Sequence, residues 1–158
     1  MTMIIDGTNG LTFNNASTQA SAGVVLQVVN AQSTTGTSTT SASLVTTGLS
    51  ASITPKFSTS KILAQFQFRS QTSASGVNNA YAIYRGATNL TGTTGYCLRA
   101  GGTDTSAPLY LNWLDSPATT SSTTYTLYFS APLGGTNLIN PNNSADWPII
   151  ITLMEIAG

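Results

Sequence analysis

The stretch KILAQFQFR, residues 61–69, decides the fold. Ile62, Ala64, Phe66 and Phe68 alternate with Leu63, Gln65, Gln67 and Arg69, and a period of two is what a strand with one buried face requires. Downstream, residues 80–85 (AYAIYR), 96–99 (YCLR), 109–114 (LYLNWL) and 123–130 (TTYTLYFS) are similarly short, and Gly-, Asn-, Ser- and Pro-rich turns separate them. In the last of these, Tyr125, Leu127 and Phe129 share one face. The terminal run 148–156 (PIIITLMEI) is apolar on both faces except at Thr152 and Glu155, which predicts a strand in the middle of the core or between the core and a subunit interface.

Upstream, residues 44–53 read as a strand that stops at Thr54-Pro55, where proline blocks further ladder pairing. Residues 24–30 (VVLQVVN) form the first strand of the domain. Between these two, residues 31–43 carry nine Ser or Thr in thirteen positions, a loop or an edge strand with polar faces. About eight strands in one domain of ordinary size predict an all-β fold, a single jelly-roll-like antiparallel β-sandwich over residues 24–158. The lack of a cysteine pair and the length argue against an immunoglobulin-like sandwich. Ile62, Phe66, Phe68, Tyr125, Leu127, Phe129, Ile149, Ile151 and Leu153 are its expected core. Residues 1–23 are Gly-, Asn- and Thr-rich with too little apolar content to fold alone; they are expected to be an extended N-terminal attachment arm, ordered against a partner.

Charged residues make up only 6% of the 158 residues, against about 25% in an average globular protein. The polar surface is instead built from 27 Thr, 19 Ser and 12 Asn. Five basic residues balance five acidic ones, so there is no net field to attract phosphates, and nucleic acid is not an expected partner. Near-zero net charge favours association, and a homo-oligomer is expected. No apolar run is long enough for a membrane helix and the first residues lack the pattern of a signal peptide; synthesis in a cytoplasm, without membrane insertion, is expected.

The chain has no histidine. It therefore lacks the usual neutral-pH general base, the commonest metal ligand and the base of a Ser-His-Asp or Cys-His site. Cys97 is a single cysteine, expected as a small buried residue, and leaves no intrachain disulfide or cysteine-cluster metal site. Glycoside hydrolysis needs only two carboxyl groups about 5–9.5 Å apart; Asp104 and Asp115, flanking residues 109–114, are the best pair, although turn-capping roles fit both better, and Asp146 ahead of Trp147-Pro148 fits one too. Glu155, inside an apolar strand, needs a partner or a protonated state, and Arg69, Arg85 or Arg99 is the candidate partner. The glycines of residues 92–102 follow neither phosphate-binding pattern. No catalytic, cofactor-binding or metal-binding residue is assigned, and the protein is not expected to be an enzyme. Tyr81, Tyr84, Tyr96, Tyr110, Trp113, Tyr128 and Trp147 are candidates for sugar stacking, most of them expected in the core. Residues 31–43 and 91–105 are the expected contact loops.

Ile5-Asp6-Gly7-Thr8-Asn9-Gly10-Leu11-Thr12-Phe13, continuing to Thr18-Gln19, resembles a segment of bacteriophage tail-fibre and related virion proteins. Gly48-Leu49-Ser50-Ala51-Ser52-Ile53-Thr54-Pro55 followed by Ser58-Thr59-Ser60-Lys61-Ile62-Leu63, the segment from Leu114 to Thr120, and Ile151-Thr152-Leu153-Met154-Glu155-Ile156 resemble elements of a fibre-type β domain in such proteins. The resemblance implies a virion structural protein made in the host cytoplasm. It further implies a homotrimer, with the leader attaching to other virion proteins and the β domain facing outward; no shaft is expected ahead of the leader. Two functions follow from it as expectations: a short tail fibre or spike component for host adhesion, with a surface glycan as partner, or alternatively a capsid decoration, cement or head-fibre protein that stabilises the phage head.

Overall fold

A computed structural model of the protein describes residues 24–92, 95–99 and 101–158 and, before them, the backbone of three short strands. These are β1 (Ile4–Asp6), β2 (Gly10–Thr12) and β3 (Thr18–Gln19), paired antiparallel in that order. The arm expected over residues 1–23 otherwise lies outside the described residues, at 1–3, 7–9, 13–17 and 20–23.

The domain continues with β4 (Val25–Ser33), β5 (Thr37–Thr39), β6 (Val45–Ile53), β7 (Lys61–Thr72), β8 (Asn78–Arg85), β9 (Thr88–Asn89), β10 (Tyr96–Arg99), β11 (Ser106–Asp115), β12 (Thr123–Ser130), β13 (Asn137–Ile139) and β14 (Ile149–Ile156). In sheet I, β7 is central. Along one edge it pairs with β14 at Lys61 to Gln67 and with β13 at Ser70 to Thr72, and along the other with the whole of β11. β4 lies outside β14 and β5 outside β13, so β4 and β5 act as one interrupted strand facing another made of β13 and β14. Sheet II has the order β10-β8-β12-β6, with β9 added to β8. Counted as eight consecutive strands, sheet I reads 1-8-3-6 and sheet II reads 2-7-4-5, all antiparallel. This is the winding of a jelly roll, the fold class expected from the strand count, the length and the lack of a cysteine pair.

The two interruptions sit side by side because they stabilise each other. Asn140, at a left-handed φ of 47°, opens the turn between β13 and β14. Its Nδ2 donates to Thr34 O at 2.6 Å, and Gly36 N donates to Asn143 Oδ1, also at 2.6 Å. A side chain on Gly36 would come within 2.3 Å of the Asn140 carbonyl oxygen, so only glycine lets the two backbones approach this closely. The Ser/Thr-rich run thus contains an edge strand rather than only a loop.

Between the sheets, every expected core residue is buried: Ile62, Phe66 and Phe68 on β7, Tyr125, Leu127 and Phe129 on β12, and Ile149, Ile151 and Leu153 on β14. Alternation on β7 is complete, since Leu63, Gln65, Gln67, Arg69 and Gln71 all point away from the core. β14 follows the same rule despite its two apolar faces, burying Ile149, Ile151, Leu153 and Glu155 and leaving Ile150, Thr152, Met154 and Ile156 partly exposed.

Phe66 is 1% exposed and lies in register with Leu111 on one side and Ile151 on the other. Phe66→Ala should cost about 3–5 kcal/mol of folding free energy, measured by urea denaturation; a loss below about 1 kcal/mol would place this side chain outside the core.

Candidate functional site

The few buried polar groups are held inside the sandwich. Tyr81 Oη donates to Asn137 Oδ1 at 2.9 Å and is hydrogen-bonded to Ser70 Oγ, which also accepts from Asn79 Nδ2 at 3.3 Å. Asn137 Nδ2 donates to Ser130 O at 2.9 Å. The network therefore joins β7 and β13 of sheet I to β8 and β12 of sheet II. Burial, opposed by these hydrogen bonds, pushes the Tyr81 hydroxyl up to about 12, so it remains a neutral donor at any physiological pH.

Asp115 is not the turn cap that its sequence context suggests. It ends β11 on the inner face, where Arg85 Nη1 lies 2.9 Å from both of its oxygens and Tyr125 Oη donates to Oδ2 at 2.7 Å. Burial first, and then the bond to Asp115, raises the Tyr125 pKa. Arg85, the last residue of β8, pairs in register with Tyr125 of β12, which brings both to Asp115 across the sandwich. Asp104 does occupy a turn, with φ at 55°. It lies at the opposite end of β11 from Asp115, roughly 30 Å away at about 3.3 Å per residue, so the two carboxylates do not form a hydrolytic pair. The cap before β14 is made by Ser144 rather than Asp146: Ser144 Oγ accepts the Asp146 N–H at 3.3 Å.

Glu155 is fully buried without an arginine. Its Oε2 accepts from Gln27 Nε2 at 2.6 Å and its Oε1 from the Lys56 backbone N–H at 2.7 Å. The Ser60 hydroxyl lies beside it without meeting hydrogen-bond geometry. Burial works against ionisation, but the surrounding donors outweigh it and hold this carboxyl below the ordinary value of 4.5. The expected ion pair fails because Arg85 is committed to Asp115, Arg69 donates to Ser106 Oγ at 2.7 Å, and Arg99 is exposed on β10 of sheet II. Glu155 and Asp115 both pair with Ile62 from opposite sides, about 10 Å apart at two strand spacings. Each is saturated with donors and enclosed, so neither is presented to a substrate. Among the described residues no group of three His, Cys, Asp or Glu comes together.

Two outward faces remain. On sheet I, Val28, Met154, Leu63 and Leu114 lie in one cross-strand row over four strands, with Val28 58% and Leu114 52% exposed. The next row is Asn30, Thr152, Gln65 and Asn112, with Asn30 Nδ2 donating to Thr152 Oγ1 at 3.0 Å and Gln65 Nε2 to Asn112 Oδ1 at 3.2 Å. The third is Gln32, Ile150, Gln67 and the exposed Tyr110. These three rows hold no charge. On sheet II, a cavity of about 650 Å³ is lined by Asn78, Ala80 and Tyr84 of β8, Cys97 of β10, Ser130 of β12, Asn89 of β9 and the flanking segments 42–44 and 132–133.

Of the seven aromatic candidates only Tyr81 is fully buried. Trp113 packs against the core, Tyr84 and Tyr128 stack on sheet II at 3.9 Å, and Tyr96, Tyr110 and Trp147 are exposed. Cys97, expected inside, is exposed on β10. Of the contact loops, residues 42 and 43 reach the cavity, while Thr93, Thr94 and Ala100 lie outside the described residues.

No protein-family model and no curated protein matches the sequence. Among solved structures, the chain is similar to T=1 particles derived from infectious bursal virus, at TM-score 0.45 and 17% identity over 89% of this chain and 38% of the other. A VP2 subviral particle of infectious bursal disease virus gives TM-score 0.45 and 16% identity, over 90% of this chain and 40% of that one. The chain spans less than half the length of these proteins.

The lowered pKa of Glu155 means that its ionised form stabilises the fold above the ordinary carboxyl range, and that this contribution is lost as pH falls through the folded value. Glu155→Gln should therefore lower the Tm at pH 7, with the difference from the parent closing well below pH 4.5. Thermal melts between pH 7 and 3 measure it; a gap that does not change with pH would show that the charge contributes nothing.

Proposed function

We propose that the protein is a structural component of a phage particle, where it assembles as a homotrimer through the outer face of sheet I. The observation that carries this reading is the row Val28, Met154, Leu63 and Leu114, with the uncharged amide row beside it. An antiparallel sheet with one free face normally turns polar residues outward, and an apolar band across four strands marks a surface for association. With formal net charge zero, copies approach without mutual repulsion. The resemblance of the leader and three later segments to phage fibre proteins supplies the particle.

Within it, the protein serves as a short tail fibre or spike component, held by its leader, with sheet II presented to a host-surface glycan. Many weak contacts become strong in such a multivalent array. A second reading, a decoration or head-fibre protein stabilising the phage head, is favoured by the breadth of the sheet I face, which suits a domain lying flat on a neighbouring shell protein.

Gold-labelled antibody imaging of intact particles separates the two. Label at the tail or its fibres is expected for the adhesive role; label spread over the head would replace it with the decorating role, and particles without label would remove both.

A further inference from the structure

We propose that the cavity on the outer face of sheet II is a binding site for a neutral pyranose saccharide. This deepens the adhesive reading above and rests on it for the source of the ligand. The cavity, about 650 Å³, falls within the 300–1,000 Å³ usual for ligand sites. Its floor is a row of backbone-paired residues, Cys97, Ala80 and Ser130 on β10, β8 and β12. The small Ala80 in the middle of that row makes the depression, and Leu44, Pro132 and Leu133 wall it.

Three observations define the ligand. No Lys, Arg, Asp or Glu lines the cavity, and Arg99, the exposed cross-strand partner of Asn78, stands outside the lining, so a carboxylated or phosphorylated ligand would lose its hydration inside without a counter-charge among the groups that line it. Tyr84 lines it with its ring stacked on Tyr128, centroids 3.9 Å apart and planes 22° from parallel; the ring is thereby fixed as an apolar platform with a hydroxyl at its tip. Asn78 brings a side-chain amide to the wall, and a purely apolar ligand would strip water from such groups without replacing its hydrogen bonds. A ligand that combines hydroxyl donors, a C–H face and no charge meets all three conditions, and a neutral pyranose has each of these. The hydroxyls of Ser43 and Ser130 lie on the same cavity.

The test is a nitrogen-15 NMR titration of the full chain with neutral oligosaccharides built from glucose, galactose and N-acetylhexosamines, alongside sialylated and uronic-acid counterparts. Neutral members should shift the amides of Asn78, Ala80, Cys97 and Ser130. Tyr84→Ala should weaken that binding by about tenfold or more. Leu133 is 61% exposed, so Leu133→Glu places a charge on the rim without burying it; it should weaken neutral sugars similarly and leave the melting temperature unchanged. Shifts located elsewhere, equal binding of anionic members, unaltered affinity in both variants, or no binding by any neutral member would each overturn the assignment. Particle imaging tests where the protein sits and this titration tests what it binds, so failure of one is distinguishable from failure of the other.

Discussion

Phe68 on β7 meets Tyr81 on β8 ring to ring, with centroids 4.9 Å apart and planes tilted by 54°, and this contact couples the two sheets. On the Phe68 side it belongs to the alternating face of Ile62, Ala64 and Phe66, which sets the inward direction for both neighbours of β7. On the Tyr81 side it leads into the hydrogen bonds to Ser70 and Asn137. Burying a ring is favourable over a broad range of positions, whereas a phenol that must reach a particular acceptor is not free to slide. The pair therefore fixes the register of one sheet over the other as well as their separation.

With so few charges, the molecule cannot place them casually. Of the acids, Asp115 and Glu155 are spent inside, one on Arg85 and Tyr125, the other on Gln27 and the Lys56 backbone. The middle rows on the outer face of sheet I are left to hydroxyls, amides and apolar side chains, with Lys61 and Arg69 at the two ends of that face. The two proposed roles divide by face in the same way: the uncharged middle rows of sheet I for packing against copies, and the concave surface of sheet II for a small neutral ligand. A sandwich suits this separation because its two outer faces vary without disturbing the shared core.

Much of the fold was legible because alternation is a local signal. β7, β12 and β14 are visible in the sequence, and their buried residues were identifiable one by one. β5 reads in the sequence as loop or edge strand and β13 has no local signature; each is three residues long, and both are held by contacts of Asn140 and Gly36 across more than a hundred positions of sequence, which no local pattern reports. The same limit hid the site. Asn78, Tyr84, Cys97, Ser130 and Leu133 come together only when β8, β10 and β12 pair, and Cys97 read as a core residue because composition does not tell the two faces of a short strand apart. Asp115 looked like a turn residue for the same reason: its partners, Arg85 and Tyr125, belong to the other sheet.

The central claim is that the outer face of sheet I is a contact between copies. Sedimentation velocity of the full chain and of Leu114→Glu, an exposed position in the apolar row, tests it most directly. The account predicts a single oligomeric species for the parent at micromolar concentration and a folded monomer for the variant. A monomeric parent, or a variant that sediments with the parent, would contradict it.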